Sequence, residues 1–175
     1  MSRLALPTPL GEITLVAEGD ALVAIAWCRA SHASTGADAA GDATAMPLLR
    51  RAAAQLSNYL AGRRRTFDLP LSPSGTPFQR RVWARLAEIP YGATISYGDL
   101  ARDLGSQPRA VAQACARNPL PIVIPCHRVV GRNGALTGYS GGDGIASKRA
   151  LLALERHAGL PAAGPADAVS DAAVA

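Results

Sequence analysis

The residues best able to do chemistry lie together in Pro125-Cys126-His127-Arg128, after an apolar run and before a glycine-rich stretch ending at Gly142. A cysteine attacks as its thiolate, and an ordinary thiol, with a pKa of about 8.5, is only slightly ionised at neutral pH. Cys126 therefore needs a base, and His127 is the nearest one. Neighbours in an extended chain point to opposite faces. The pair thus needs a bend after Pro125, or a water bridging sulfur and imidazole. The imidazole in turn needs a carboxylate to orient it. Glu155 is the natural candidate, with Asp99 and Asp103 as others. Downstream, "GALTGYSGG" offers glycines that allow close approach to a planar ligand, and Tyr139 and Ser140 to contact its edge.

The elements that must position these groups are legible in part. Gly11 to Trp27 alternates apolar and polar residues around Gly19-Asp20, which predicts a β-hairpin. Leu48 to Leu60 has helical spacing and stops at Gly62. "TFDLPLS" reads as a short extended piece, and "SPSGTP" as a domain boundary. Thr76-Pro77-Phe78-Gln79 is a capping box opening a helix that buries Phe78, Val82, Trp83 and Leu86. A short helix follows Ser96, Gly105 makes a turn, and a second helix runs from about Pro108 to Arg117 with Ser106 as N-cap. Such a pair resembles a helix-turn-helix, although many small helical domains contain one. "IVIP" predicts a short buried strand, and Ala146 to Ala158 a last amphipathic helix. Residues 30–47 read as a loose loop and residues 161–175 as a disordered tail. The division expected is 1–75, 76–160 and the tail.

The second helix, "RAVAQACA", is built almost wholly of small residues, which let another body approach its backbone or pack tightly in the core. Arg109 at its head is a long, permanently charged fork placed to reach into a duplex. Of the net charge of +5, most sits beyond residue 75, where eleven Lys/Arg face seven Asp/Glu; residues 1–75 hold seven Arg against six Asp/Glu. A polyanion-binding surface has this balance, as does any arginine-rich chain. No apolar run approaches the roughly eighteen residues of a membrane helix, and no secretory signal is visible, so a cytoplasmic protein is expected. Three cysteines, Cys28, Cys115 and Cys126, form no CxxC pair, which argues against a disulfide framework. Cys28 and His32 are too few to close a zinc site, and no metal or other cofactor is expected. Cys115 reads as packing.

Through "FQRRVW", "IPYGATISYGDLA", "RAVAQACARNPLPIVIPCHRVVGRNGALTGYSGG" and "KRALLALE", the chain resembles the methylated-DNA–protein-cysteine methyltransferases, or O6-alkylguanine-DNA alkyltransferases. "TPLGEITL" resembles their first strands more loosely. The resemblance implies an α+β fold: a small N-terminal α/β, ribonuclease H-like domain, then a mostly helical domain with a winged-helix-like helix-turn-helix. It implies Cys126 as alkyl acceptor, His127 as base through a water, Glu155 holding the imidazole and Asn118 bracing the turn. Tyr97 would press on the target nucleotide's phosphate and contact the flipped base. Arg109, beside Ala110 on a helix in the minor groove, would fill the gap in the stack. Val129, Tyr139 and Ser140 would line a guanine pocket, and Lys148 would stand near the site. The partner implied is double-stranded DNA carrying O6-alkylguanine, and also O4-alkylthymine, bound by a monomer that can assemble cooperatively. Transfer would be irreversible and stoichiometric. Against the family pattern, the segment from Tyr97 to Arg109 is somewhat short and that from Gly142 to Glu155 somewhat long. Competing readings are a lesion-binding relative without chemistry, a cysteine hydrolase and a plain helix-turn-helix regulator.

Overall fold

The structure, a computed structural model, describes residues 1–27 and 45–157. The expected hairpin forms, and a further strand joins it. β1 (Ser2–Leu6), β2 (Ile13–Glu18) and β3 (Ala21–Trp27) make an antiparallel sheet in that order, with Leu4 opposite Leu15 and Leu15 opposite Ile25. Gly19 turns the β2–β3 hairpin at φ +58°, a conformation glycine adopts without a Cβ clash. Alternation places Ile13, Leu15 and Ala17 of β2 on one face, all fully buried. α1 (Met46–Leu60) covers that face with Leu49, Ala52, Leu56 and Tyr59. It ends in a Schellman motif: Gly62 N–H donates to Tyr59 O and Arg63 N–H to Asn58 O. The extended "TFDLPLS" piece then bridges β3 in parallel, Leu22 opposite Leu71.

α2 (Pro77–Ala87) opens on the expected capping box. Gln79 N–H donates to Thr76 Oγ1 at 3.2 Å and Thr76 N–H to Gln79 Oε1 at 2.9 Å. Trp83 crosses from α2 to α4 (Pro108–Ala116), donating from Nε1 to Ala114 O at 2.9 Å. α3 (Tyr97–Asp103) is capped by Ser96. A Schellman turn at Gly105 closes it, with Ser106 N–H on Ala101 O and Gly105 N–H on Arg102 O. That use of Ser106 corrects its expected role: the N-cap of α4 is Gln107, with no side-chain cap, because Ser106 already belongs to the preceding turn. β4 (Ile95–Ser96) and β5 (Val129–Val130) pair in parallel and bind α3 to the segment that follows Cys126. α5 (Ile145–His157) buries Leu151 and Leu152.

The fold is thus α+β, a three-stranded sheet with its helix followed by a helical half. The expected strand at "IVIP" is a tight turn instead. Ile122 has φ +74°, and Ile124 N–H reaches back to Leu120 O at 2.8 Å. Its apolar run imitates a strand because every residue from 120 to 130 is buried. Residues 30–44 of the expected loop and the tail over 161–175 lie outside the described residues, as do Cys28 and His32.

Candidate functional site

The 118–126 turn delivers Cys126. Asn118 spans it, donating from Nδ2 to Ile124 O at 2.8 Å while its Oδ1 accepts from Leu120 N–H at 3.0 Å. Two side-chain bonds across one turn hold Ile122 in the left-handed region, which a β-branched residue does not adopt unaided. The N-terminal sheet is tied in as well, Ile25 N–H donating to Pro119 O at 2.8 Å. Cys126 to Arg128 then form one turn of 3-10 helix. At three residues per turn, successive side chains diverge by about 120°. Cys126 therefore lines a pocket while His127 and Arg128 both reach Glu155 behind it.

Behind the thiol lies a sealed polar cluster. His127 is fully buried, and its Nε2–H donates to Glu155 Oε1 at 2.8 Å. The same oxygen accepts from Tyr59 O–H at 2.5 Å and from Arg128 Nη2 at 2.8 Å. Oε2 accepts from Arg128 Nε and from Gly92 N–H, each at 3.0 Å, and Arg128 Nη1 donates to Ile89 O. Burial alone would raise the Glu155 carboxyl, but hydrogen bonds from His127, Arg128 and Tyr59 hold it at about 2. Burial lowers His127 below its ordinary value, against the pull of Glu155. A neutral imidazole with its proton on Nε2 follows. Its Nδ1 is buried and has no hydrogen-bond partner among the described residues. Asp99 and Asp103, the other carboxylate candidates, are engaged with Arg102 and Arg85.

Burial pushes the Cys126 thiol above its ordinary value, and hydrogen bonding from Asn118 and the charge of Lys148 reverse this only in part. The resting sulfur is therefore a neutral thiol at pH 7. An anion in so enclosed a place lacks solvation, in keeping with the need for a base to take the proton as the sulfur reacts.

The pocket against Cys126 has a volume of about 200 Å³. Asn118 and Pro121 of the turn line one side, with Cys115 of α4; Tyr139, Ser140 and the neighbouring glycines line another. Ile25, Ala26 and Trp27 at the end of β3 form a third. Cys115, expected as packing, is buried yet stands on this wall, its thiol pushed up to about 12 chiefly by burial. Tyr139 is half-buried and Ser140 exposed at the rim. Val129 and Lys148 stand behind the lining. Val129 is fully buried and pairs with Ile95. Lys148 Nζ donates to Val129 O at 2.5 Å and Thr137 O at 2.6 Å, and lies 5.6 Å from the Tyr97 ring centroid. Tyr97 O–H donates to Gly138 O at 3.2 Å, so it borders the glycine-rich segment from outside and also lines the cleft between α3 and Arg132-Asn133. Arg109 is exposed at the second position of α4 and makes no hydrogen bond or ion pair among the described residues; Ala110 is half-buried beside it.

Four participants escape the sequence reading: Tyr59, Gly92, Arg128 and Trp27. Tyr59 lies on the buried stripe of α1, where a phenol signals a need for a partner without naming it. Arg128 sits beside the motif, but nothing local says that it turns inward. Among the described residues no three His, Cys, Asp or Glu side chains gather as metal ligands, and no helix is long and apolar enough to cross a membrane.

Comparison with known proteins accounts for both halves. A model described as "6-O-methylguanine DNA methyltransferase, ribonuclease-like domain" matches residues 4–73, and one described as its "DNA binding domain" matches residues 77–157. A constitutive methylated-DNA–protein-cysteine methyltransferase of Bacillus subtilis is 45% identical over 152 residues, 85% of this chain and 92% of that protein. The Mycobacterium bovis protein of the same name is 42% identical over 151 residues, 85% of this chain and 88% of its own. The crystal structure of Mycobacterium tuberculosis OGT in complex with DNA superposes with a TM-score of 0.74 at 40% identity, covering 88% of this chain and 92% of that one. With two family models end to end along the chain and relatives alike over nearly their whole length, the chain belongs to the methylated-DNA–protein-cysteine methyltransferase family.

Proposed function

We propose that the protein repairs DNA by direct reversal, moving the alkyl group of O6-alkylguanine, and of O4-alkylthymine, onto Cys126. The observation that carries this reading is a buried thiol on a base-sized pocket, next to an imidazole anchored at Nε2 and unpaired at Nδ1. In the reaction the Cys126 proton passes to His127 Nδ1, directly or through a water. Sulfur then bonds the alkyl carbon as the carbon–O6 bond breaks. Guanine leaves neutral after taking up a proton, and His127 returns to its resting form. Glu155, charged throughout, stabilises the transient imidazolium. A thioether is stable, so each molecule acts once.

O6 is buried in a duplex, so the nucleotide must flip out, which costs a few kcal/mol. Arg109, free and exposed at the head of a small-residue helix, fills the gap from the minor groove, with Ala110 allowing close approach. Tyr97 presses on the target phosphate, Tyr139 and Ser140 hold the base edge, and Lys148 fixes the Val129 and Thr137 carbonyls and Tyr97 around it. In this reading residues 76–160 bind DNA and react, as a monomer on the duplex, and residues 1–75 back the site.

The test is intact mass after exposure to a duplex carrying O6-methylguanine. One methyl per chain, mapped to the Cys126 peptide and lost in Cys126→Ala while duplex binding persists, is the expected result. An unchanged mass in the presence of excess lesion sinks the reading and favours a lesion-binding protein without chemistry. Repeated turnover of an ester or peptide would point to a hydrolase.

A further inference from the structure

Trp27 belongs to the sheet half, yet it forms part of the wall facing Cys126. Its indole is held at several points. Nε1 donates to Leu10 O at 3.1 Å. The ring meets Tyr139 edge-on, with centroids 6.4 Å apart and planes at 79°. It also lies against the glycine pair that ends the pocket segment. A Cβ on Gly141 would come within 2.7 Å of the indole Cζ3, and one on Gly142 within 2.9 Å of its Nε1. On this side the indole packs where only glycine leaves space for it. The β3 backbone beneath it is fastened to the active-site turn through Ile25 and Pro119. Trp27 is thus a held wall beside the glycine-rich segment, and it helps confine the space to about 200 Å³. Pockets that take drug-sized ligands run larger, from about 300 Å³ upward.

We infer that Trp27 is a specificity-determining residue that limits the alkyl group to small ones, admitting methyl and opposing bulky aromatic groups such as benzyl. The inference rests on the alkyl-transfer reading above and goes further, assigning the size limit to a side chain from the N-terminal sheet. A fixed wall discriminates through the overlap a larger group would suffer, since the well-packed site can yield little.

The experiment measures second-order transfer from one duplex carrying either O6-methylguanine or O6-benzylguanine, for wild type, Trp27→Phe and Trp27→Ala. Trp27→Ala is expected to raise the benzyl-to-methyl rate ratio by about tenfold or more, the range a few methylene-sized contacts command. The methyl rate itself falls, because Tyr139 and the glycine pair lose their backing. Trp27→Phe keeps a ring against Tyr139 and should shift the ratio the same way by less, so it decides the matter if Trp27→Ala does not fold. A ratio unchanged in the folded variants, with both rates falling together, overturns the inference and leaves Trp27 as scaffold. Wild-type protein that accepts neither group removes the alkyl-transfer reading, and this inference with it.

Discussion

Glu155 is the residue on which the candidate chemistry turns, and its surroundings explain why. Four donor groups converge on its carboxylate, from Tyr59, His127, Arg128 and the Gly92 backbone. The carboxyl is thereby held at about 2, too weak a base to take a proton from His127. In the proposed reaction it acts by charge, fixing the imidazole's tautomer and supporting the imidazolium when it forms. Glu155→Gln keeps the shape and removes the charge. It leaves Arg128, only 6% exposed, facing a neutral amide. Breaking a buried pair from one side costs roughly 3–5 kcal/mol. A chemical-denaturation midpoint should register that loss, and the folded fraction should transfer its methyl group far more slowly. Wild-type stability with wild-type rate would show that the carboxylate has no such role.

At the level of elements, the placing of Cys126 depends on a turn that its own sequence disfavours. Ile122 holds φ +74°, a cost a β-branched residue bears only when its surroundings impose it. Asn118 imposes it with two hydrogen bonds across the turn. Asn118→Ala removes both and leaves Leu120 N–H without its partner, while Ile124 O keeps only the bond from Cys126 N–H. A buried group so stranded costs about 1–3 kcal/mol. The expected outcome is a melting transition lowered by several degrees, with a transfer rate that falls by more than the folded fraction explains. A rate tracking the folded fraction alone would reduce Asn118 to a stability residue.

For the whole molecule, the buried titratable groups set the pH range of stability. His127 titrates below its ordinary 6.5 in the folded chain, so on acidification the unfolded chain takes up its proton first. Stability is present above about pH 6.5 and declines below it. Glu155 adds a second stabilising contribution, present above its ordinary 4.5 and lost as pH falls toward about 2. Cys126, raised by burial, acts at the other end: above the ordinary thiol range the unfolded chain releases the proton that the folded chain keeps. Unfolding midpoints across pH should therefore form a plateau near neutrality, falling on both sides. In Cys126→Ala the alkaline fall should be shallower. Equal alkaline limbs in the two proteins would contradict this account.

Local sequence alone determined a good deal. Alternation with a glycine turn dictates the β2–β3 hairpin, helical spacing dictates α1, and Thr76 with Gln79 starts α2, because these signals act within a few residues. The Cys126–His127 pair and Glu155 were legible as chemistry for the same reason, being reactive types in a recognisable order. The buried turn at Ile122 was not, since hydropathy reports burial and cannot tell a strand from a sealed turn. Neither were Tyr59 on Glu155 and Trp27 on the pocket. Both come from the N-terminal half, 96 residues from Glu155 in the first case, and only the packing of sheet and helix against the reactive segment brings them there.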